Sequence, residues 1–236
     1  MKNMTSATKL YILSTILCGA GLIGWMVVEM DWTNMGVYLL AALGALAQTL
    51  KVEGPNARTN YSIAWFVYGF AFIAFGPQAA IFVVVVAHLV EWAWHKYPWY
   101  IQSFNMGSHM LAVYLAGLAF AAVRQGAEGL ALNGALGMAA ANLVFVIGNH
   151  FLVGLVVKLA RGQSFGESGV FGFLTLFLDF TVLSMGSVTA LVWAYNPFAT
   201  ILNILPLVLL YHALRVPALL RQLQELKRVP LPSSGD

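Results

Sequence analysis

Charge is scarce in this sequence. Asp, Glu, Lys and Arg make up only 9% of its 236 residues, against about 25% in soluble domains, and so few charges cannot cover a surface in water. Cysteine is nearly absent. Cys18 stands alone inside an apolar stretch, which excludes an intrachain disulfide and any zinc site built on paired cysteines. There are five histidines, with no His-x-x-His or His-His pair among them, so the histidine boxes of membrane di-iron oxygenases are missing. No phosphate-binding loop and no His-Glu-x-x-His zinc motif occurs either. A formal charge of +3 is too small to point to nucleic acid. The partner that composition implies is the lipid bilayer.

What the chain does have is apolar length. Hydrophobic residues make up 60% of it and fall into eight blocks, at 10–28, 35–50, 62–75, 77–94, 105–123, 131–157, 171–194 and 197–214. Most approach the roughly 20 residues of a membrane-spanning helix. Lipid satisfies no backbone N–H or C=O group, so a spanning segment is a helix or part of a closed barrel. These blocks are continuously apolar rather than alternating, which excludes a barrel. The expected fold is an all-α polytopic bundle of about eight spans. The third block is short and stops at Gly76-Pro77, a strong helix interruption. A tight external turn is expected there, and another at Asn196-Pro197.

The placement of basic residues orients this scheme. With both termini cytoplasmic, the inside segments hold Lys2, Lys9, Lys51, Arg58, Lys96, Lys158, Arg161, Arg215, Arg221, Lys227 and Arg228. Only Arg124 falls outside, so eleven of the twelve basic residues lie on one side, as the positive-inside rule requires. Merging the third and fourth blocks would reverse every later segment. Lys2 and Lys9 precede an apolar stretch to Val28, and Glu29-Met30-Asp31-Trp32 follows in place of a small-residue cleavage site. The first block therefore reads as a retained span. Residues 1–213 are expected to form the bundle and 214–236 a cytoplasmic amphipathic tail too short for a folded domain. Arg215, Arg221, Lys227 and Arg228 suit an anionic leaflet. They make the tail either a coupling element or a topology anchor.

Polar residues inside apolar blocks are the candidates for function, because ionisable groups at membrane depth are costly and face a bundle interior or a wet cavity. His88, Glu91 and His95 are spaced i, i+3, i+7 and share one helix face. Such a stripe suits a polar cavity, a divalent metal or a purely structural role near the cytoplasmic end. No other cofactor is expected. Asn105, His109, Asn142, Asn149, His150 and Asp179 extend the set. Asp179 is an isolated carboxylate flanked by apolar residues, so it must pair, coordinate or stay protonated. Interhelical hydrogen bonding explains Asn142, Asn149 and His150 equally well. Gly21 with Gly24, Gly44 with Ala47, and Gly117 with Ala121 read as close helix-packing sites.

Residues 51–109 carry Lys51-Val52-Glu53-Gly54, Phe75-Gly76-Pro77, His88-Leu89-Val90-Glu91-Trp92 and Tyr97-Pro98-Trp99-Tyr100 leading to Phe104-Asn105. This stretch resembles the N-terminal membrane sensory regions of bacterial diguanylate cyclases (GGDEF proteins) and HD-GYP-type phosphohydrolases. The exit segment Tyr211-His212-Ala213-Leu214-Arg215-Val216-Pro217 is similar to the joint that precedes a GGDEF domain. The Gly-Pro helix and aromatic loop are also loosely similar to vitamin-binding subunits of energy-coupling-factor transporters. The first resemblance implies a multi-pass protein of the bacterial inner membrane, linked to cyclic-di-GMP signalling, with a cytoplasmic signalling protein as partner. The tail ends in Pro232-Ser233-Ser234-Gly235-Asp236 with no effector domain, so the expectation is a sensory or regulatory module without its own catalytic domain. A small-molecule binding or transport protein is the alternative, and a metal-dependent intramembrane enzyme the third. Cysteines introduced singly on a Cys18→Ala background test the topology. Position 124 should react with an impermeant thiol reagent in intact cells and position 161 should not.

Overall fold

A computed structural model describes residues 1, 4–53, 60–124 and 132–228. Among these the chain forms seven α-helices: α1 Ser6–Glu29, α2 Met35–Thr49, α3 Ala64–His95, α4 Trp99–Arg124, α5 Leu132–Arg161, α6 Phe173–Tyr195 and α7 Ile201–Arg228. A 3-10 turn at Pro197–Thr200 leads into α7. The only strands described are β1 Val52–Glu53 and β2 Asn60–Tyr61, an antiparallel pair that matches Val52 with Tyr61. Six helices are long and apolar enough to cross a membrane, with mean hydropathy between 1.6 and 2.2, while the fifteen-residue α2 is shorter. The protein is an all-α multi-pass membrane protein. Arg58 and the loop around it lie outside the described residues.

Local sequence explains the helix ends. The Thr5 side chain accepts from the Thr8 backbone N–H, and the Asn34 side chain from that of Gly36, so each satisfies a first-turn donor that has no partner within its helix. The second arm of α3 stops at Lys96, a left-handed cap whose N–H returns to the Trp92 carbonyl at 2.8 Å.

The decisive break lies inside α3. Gly76 has φ 88° and ψ 175°, a conformation open to glycine alone, and Pro77 after it has no N–H to continue the helical ladder. The chain reverses there. Val67 and Val83 both lie against Gly44, although a straight helix would hold them roughly 24 Å apart. Likewise Tyr68 and Glu91 both bond Gln48. α3 is therefore a hairpin, with arms at 64–75 and 77–95. The sequence separated the two blocks correctly and placed the turn where it occurs. The first arm rises only roughly 18 Å, less than about 30 Å of hydrocarbon. Short arms leave room at the bundle's ends.

The two ends are identified by what meets there. At one end Thr8 bonds the Leu159 carbonyl, Tyr11 bonds that of Leu152, and Tyr11 packs on Phe104 near the start of α4. Gln102 of that same α4 turn bonds Glu91. Lys9, Lys51, Lys96, Lys158 and Arg161 thus belong to this end. Arg124 closes the far end of α4, over the Phe120 ring.

Glycine brings the layers together, but not at every expected position. Among the described residues a Cβ at Gly21 or Gly24 would meet nothing within 4 Å, whereas Gly19 lies against Gly107 of α4. Spacing alone did not reveal which helix face meets a neighbour. Gly44 meets Val83, and Gly117 meets Pro77. The tightest approach joins the first arm of α3 to α6: a Cβ at Gly69 would meet the Leu183 carbonyl, and one at Gly186 the Phe66 carbonyl. α7 contributes almost nothing to the core. Its Ile201, Leu202, Leu205 and Leu209 are exposed, as lipid-facing residues should be. It continues unbroken through Leu214, past Pro206 and Pro217, so the tail extends the last apolar helix rather than starting a separate one. Arg215 is exposed; the side chains of Arg221, Lys227 and Arg228 lie outside the described set.

Because a Cβ at position 186 meets backbone rather than a yielding side chain, Gly186→Leu should separate α6 from α3. We expect a loss of about 1–3 kcal/mol or more, read as a lower thermal midpoint in detergent, while Gly21→Leu leaves the midpoint unchanged.

Candidate functional site

The early ends of α2 and of the first α3 arm open a cavity of about 190 Å³ at the lysine-rich end of the bundle. Its wall draws on Gln48 and Lys51 from the end of α2, Ser62 and Trp65 from the start of α3, His88, His109, and the pair His150 and Asp179.

Behind His88 and Lys51 lies Glu91, with no exposed surface. Its Oε1 is ion-paired with Lys51. Its Oε2 accepts from Gln48 Nε2 and from Gln102 Nε2, both at 2.9 Å. The second Gln102 hydrogen goes to the His88 carbonyl at 2.8 Å. With both amide hydrogens engaged, the His88 Nδ1 hydrogen faces Glu91 Oε2, 3.1 Å away. Gln48 Oε1 in turn accepts from Ser62 and Tyr68. A buried ionised carboxylate needs this many donors, since removing it from water without them is prohibitive.

His109 follows on α4. Its Nδ1 donates to the Asn105 carbonyl at 2.8 Å, and its ring lies 4.8 Å from that of His88. Trp65 packs edge-on against His109 and tilts over His150, so it joins the two polar groups. Across the cavity His150 Nε2 meets Asp179 Oδ2 at 2.8 Å, both residues buried. Two wall atoms, His88 Nε2 and Asn149 Nδ2, are fully buried and have no partner among the described residues.

The loop between α5 and α6 closes one side through Val170. It is seated by Phe165, which occupies the space that a side chain at Gly154 would need. Within that loop Gly162-Gln163-Ser164-Phe165-Gly166 matches the Gly-x-Ser-x-Gly pattern, which was not among the sequence candidates. The context is wrong for a nucleophile elbow. Ser164 lies in a loop after a helix and donates to Glu167 Oε2 from its Oγ and its backbone N–H. Those two bonds hold the exposed Glu167 carboxyl below the usual carboxylate range. Gly19-Ala20-Gly21-Leu22-Ile23-Gly24 likewise matches a dinucleotide fingerprint, but it lies mid-helix in α1 with no strand before it.

The structure divides the sequence candidates. His88, Asn105, His109, Asn149, His150 and Asp179 meet at the cavity, with Glu91 directly behind it. His95 does not join them. It lies two turns beyond His88 and stacks on Tyr97 in an exposed position. The stripe His88, Glu91, His95 therefore does not close as a ligand set, and among the described residues no three His, Cys, Asp or Glu side chains are placed to hold a metal. Asn142 is also elsewhere: it clamps α5 to α6 through Ser184 and Ser187. Gln48, Lys51, Ser62, Trp65 and Gln102 were missed. Gln48 and Gln102 had a readable signal, since each is a lone amide beside apolar sequence; Trp65 had none. Comparison with protein-family models, with curated proteins and with solved structures finds no match to this chain.

The network predicts an asymmetry. Glu91→Gln presents an NH2 group to the Gln and His donors and leaves Lys51 without its counter-charge. We expect about 3–5 kcal/mol of destabilisation, seen as a lower melting midpoint in detergent. Adding Lys51→Met to Glu91→Gln should cost less than the sum of the two single changes.

Proposed function

We propose that this protein is a membrane sensory or regulatory module that holds a small polar ligand in the cavity between His88, His109, Trp65 and Asp179. One observation carries the reading: polar atoms of the cavity wall, His88 Nε2 and Asn149 Nδ2, are buried without a partner among the described residues, and buried polar groups are nearly always satisfied by something. At about 190 Å³ the space falls below the roughly 300–1,000 Å³ of drug-sized sites, so the ligand is small.

The output side is supported by the neighbour of Lys51. β1 follows Lys51 directly, and α7 packs against β1. A ligand that disturbs the Lys51–Glu91 pair thereby reaches the helix that leaves the bundle. The basic residues gathered at the cavity end favour a cytoplasmic placement of that end. On this reading the chain makes eight crossings, counting both α3 arms, with both termini in the cytoplasm. A transport reading is favoured by a second opening of about 710 Å³ at the Gly76-Pro77 end, although the small cavity lined by Tyr68, Phe72 and Phe145 holds only about 10 Å³.

Truncation tests the output role. Removing residues 222–236 should leave insertion and orientation intact, because Arg215 and the upstream lysines remain, and should abolish capture of a cytoplasmic signalling protein. A truncated chain that still recruits every partner of the full-length protein would reduce the tail to an anchor.

A further inference from the structure

We propose that the cavity is selective for a small cation that donates hydrogen bonds, ammonium or a short primary alkylammonium. The inference rests on the reading of this cavity as a ligand site and adds the chemistry of the occupant.

The hydrogen-bond inventory points that way. His109 uses its Nδ1 hydrogen on the Asn105 carbonyl, so in the neutral ring Nε2 is a bare acceptor, and it makes no hydrogen bond to the described residues. His88 turns Nδ1 toward Glu91 and Gln102, which leaves its Nε2 buried with no partner among them. The two ring centroids are 4.8 Å apart. Both rings therefore offer lone pairs in one small space, and a ligand answers them by donating. Asn149 is neutral in this respect, because its amide presents either end after a flip.

Charge agrees. Among the described residues Lys51 is the one cationic side chain on the wall, and Glu91 already neutralises it. Asp179 is the acidic side chain on that wall, with His150 Nε2 2.8 Å from its Oδ2. The described wall thus carries no cationic side chain that is not already matched by a carboxylate. An anion would have to lie against Asp179 and two imidazole lone pairs. Trp65 lines the same space, and an indole face is the most favourable aromatic surface for an ammonium group.

The test uses the full chain, purified in detergent or nanodiscs, with methylammonium chloride as the probe. Its thermal midpoint should rise above that in sodium chloride at equal ionic strength, as binding to the folded state requires. Tetramethylammonium, which carries the charge but no N–H, should give no such rise. Asp179→Asn should weaken the apparent affinity roughly tenfold or more, and Trp65→Leu should weaken it too. The wild-type comparison of the two ammonium ions decides the matter even if a variant fails to fold. A rise with acetate or ethylene glycol but none with methylammonium overturns the cationic class while leaving a ligand site in place. No rise with any of these solutes overturns the ligand site as well.

Discussion

Glu91 has no exposed surface, and an ionised carboxylate in that position must be surrounded by donors or the fold does not form. Lys51, Gln48, Gln102 and His88 meet this requirement from the end of α2, the start of α4 and the preceding turn of α3. Since these segments are distant in the chain, the carboxylate fixes how three helices end relative to one another. His88 is turned by this bond, so the tautomer and the free nitrogen that it presents to the cavity follow from Glu91 as well.

The cavity exists because two elements are short. At this end α2 stops at Thr49 and the first arm of α3 begins only at Ala64. A bilayer protein tolerates irregular backbone where it is covered by protein or lines a cavity, and the segment from Lys51 to Ser62 borders such a cavity. The two arms of α3 and α6 stay in register through glycines whose missing side chains let backbones touch, at Gly69 and Gly186. Larger residues there would separate Trp65 on α3 from Asp179 on α6 and widen the site.

Two polar poles face each other across Trp65: the Glu91 network with its histidine pair, and the His150–Asp179 pair. The first leaves His88 Nε2 without a partner among the described residues, and the second joins His150 Nε2 to Asp179 Oδ2. His95, the third member that a metal stripe needs, sits at the exposed helix end.

Apolar block length and scarce charge determined a multi-pass helical protein from the sequence alone, and Gly76-Pro77 marked the reversal, because these depend on the solvent and on single-residue backbone limits. The polar candidates were legible too, since membrane burial makes every ionisable residue conspicuous. Their grouping was not. Helical spacing put His88, Glu91 and His95 on one face, but spacing carries no information about where a neighbouring helix stops, and that decided that His95 is exposed. Tertiary packing likewise assigned Asn142 to a clamp with Ser184 and Ser187, made Lys51 the partner of Glu91, and brought Trp65 between His109 and His150. Those are contacts between residues far apart in the chain, and only the packing of short arms against long helices sets them.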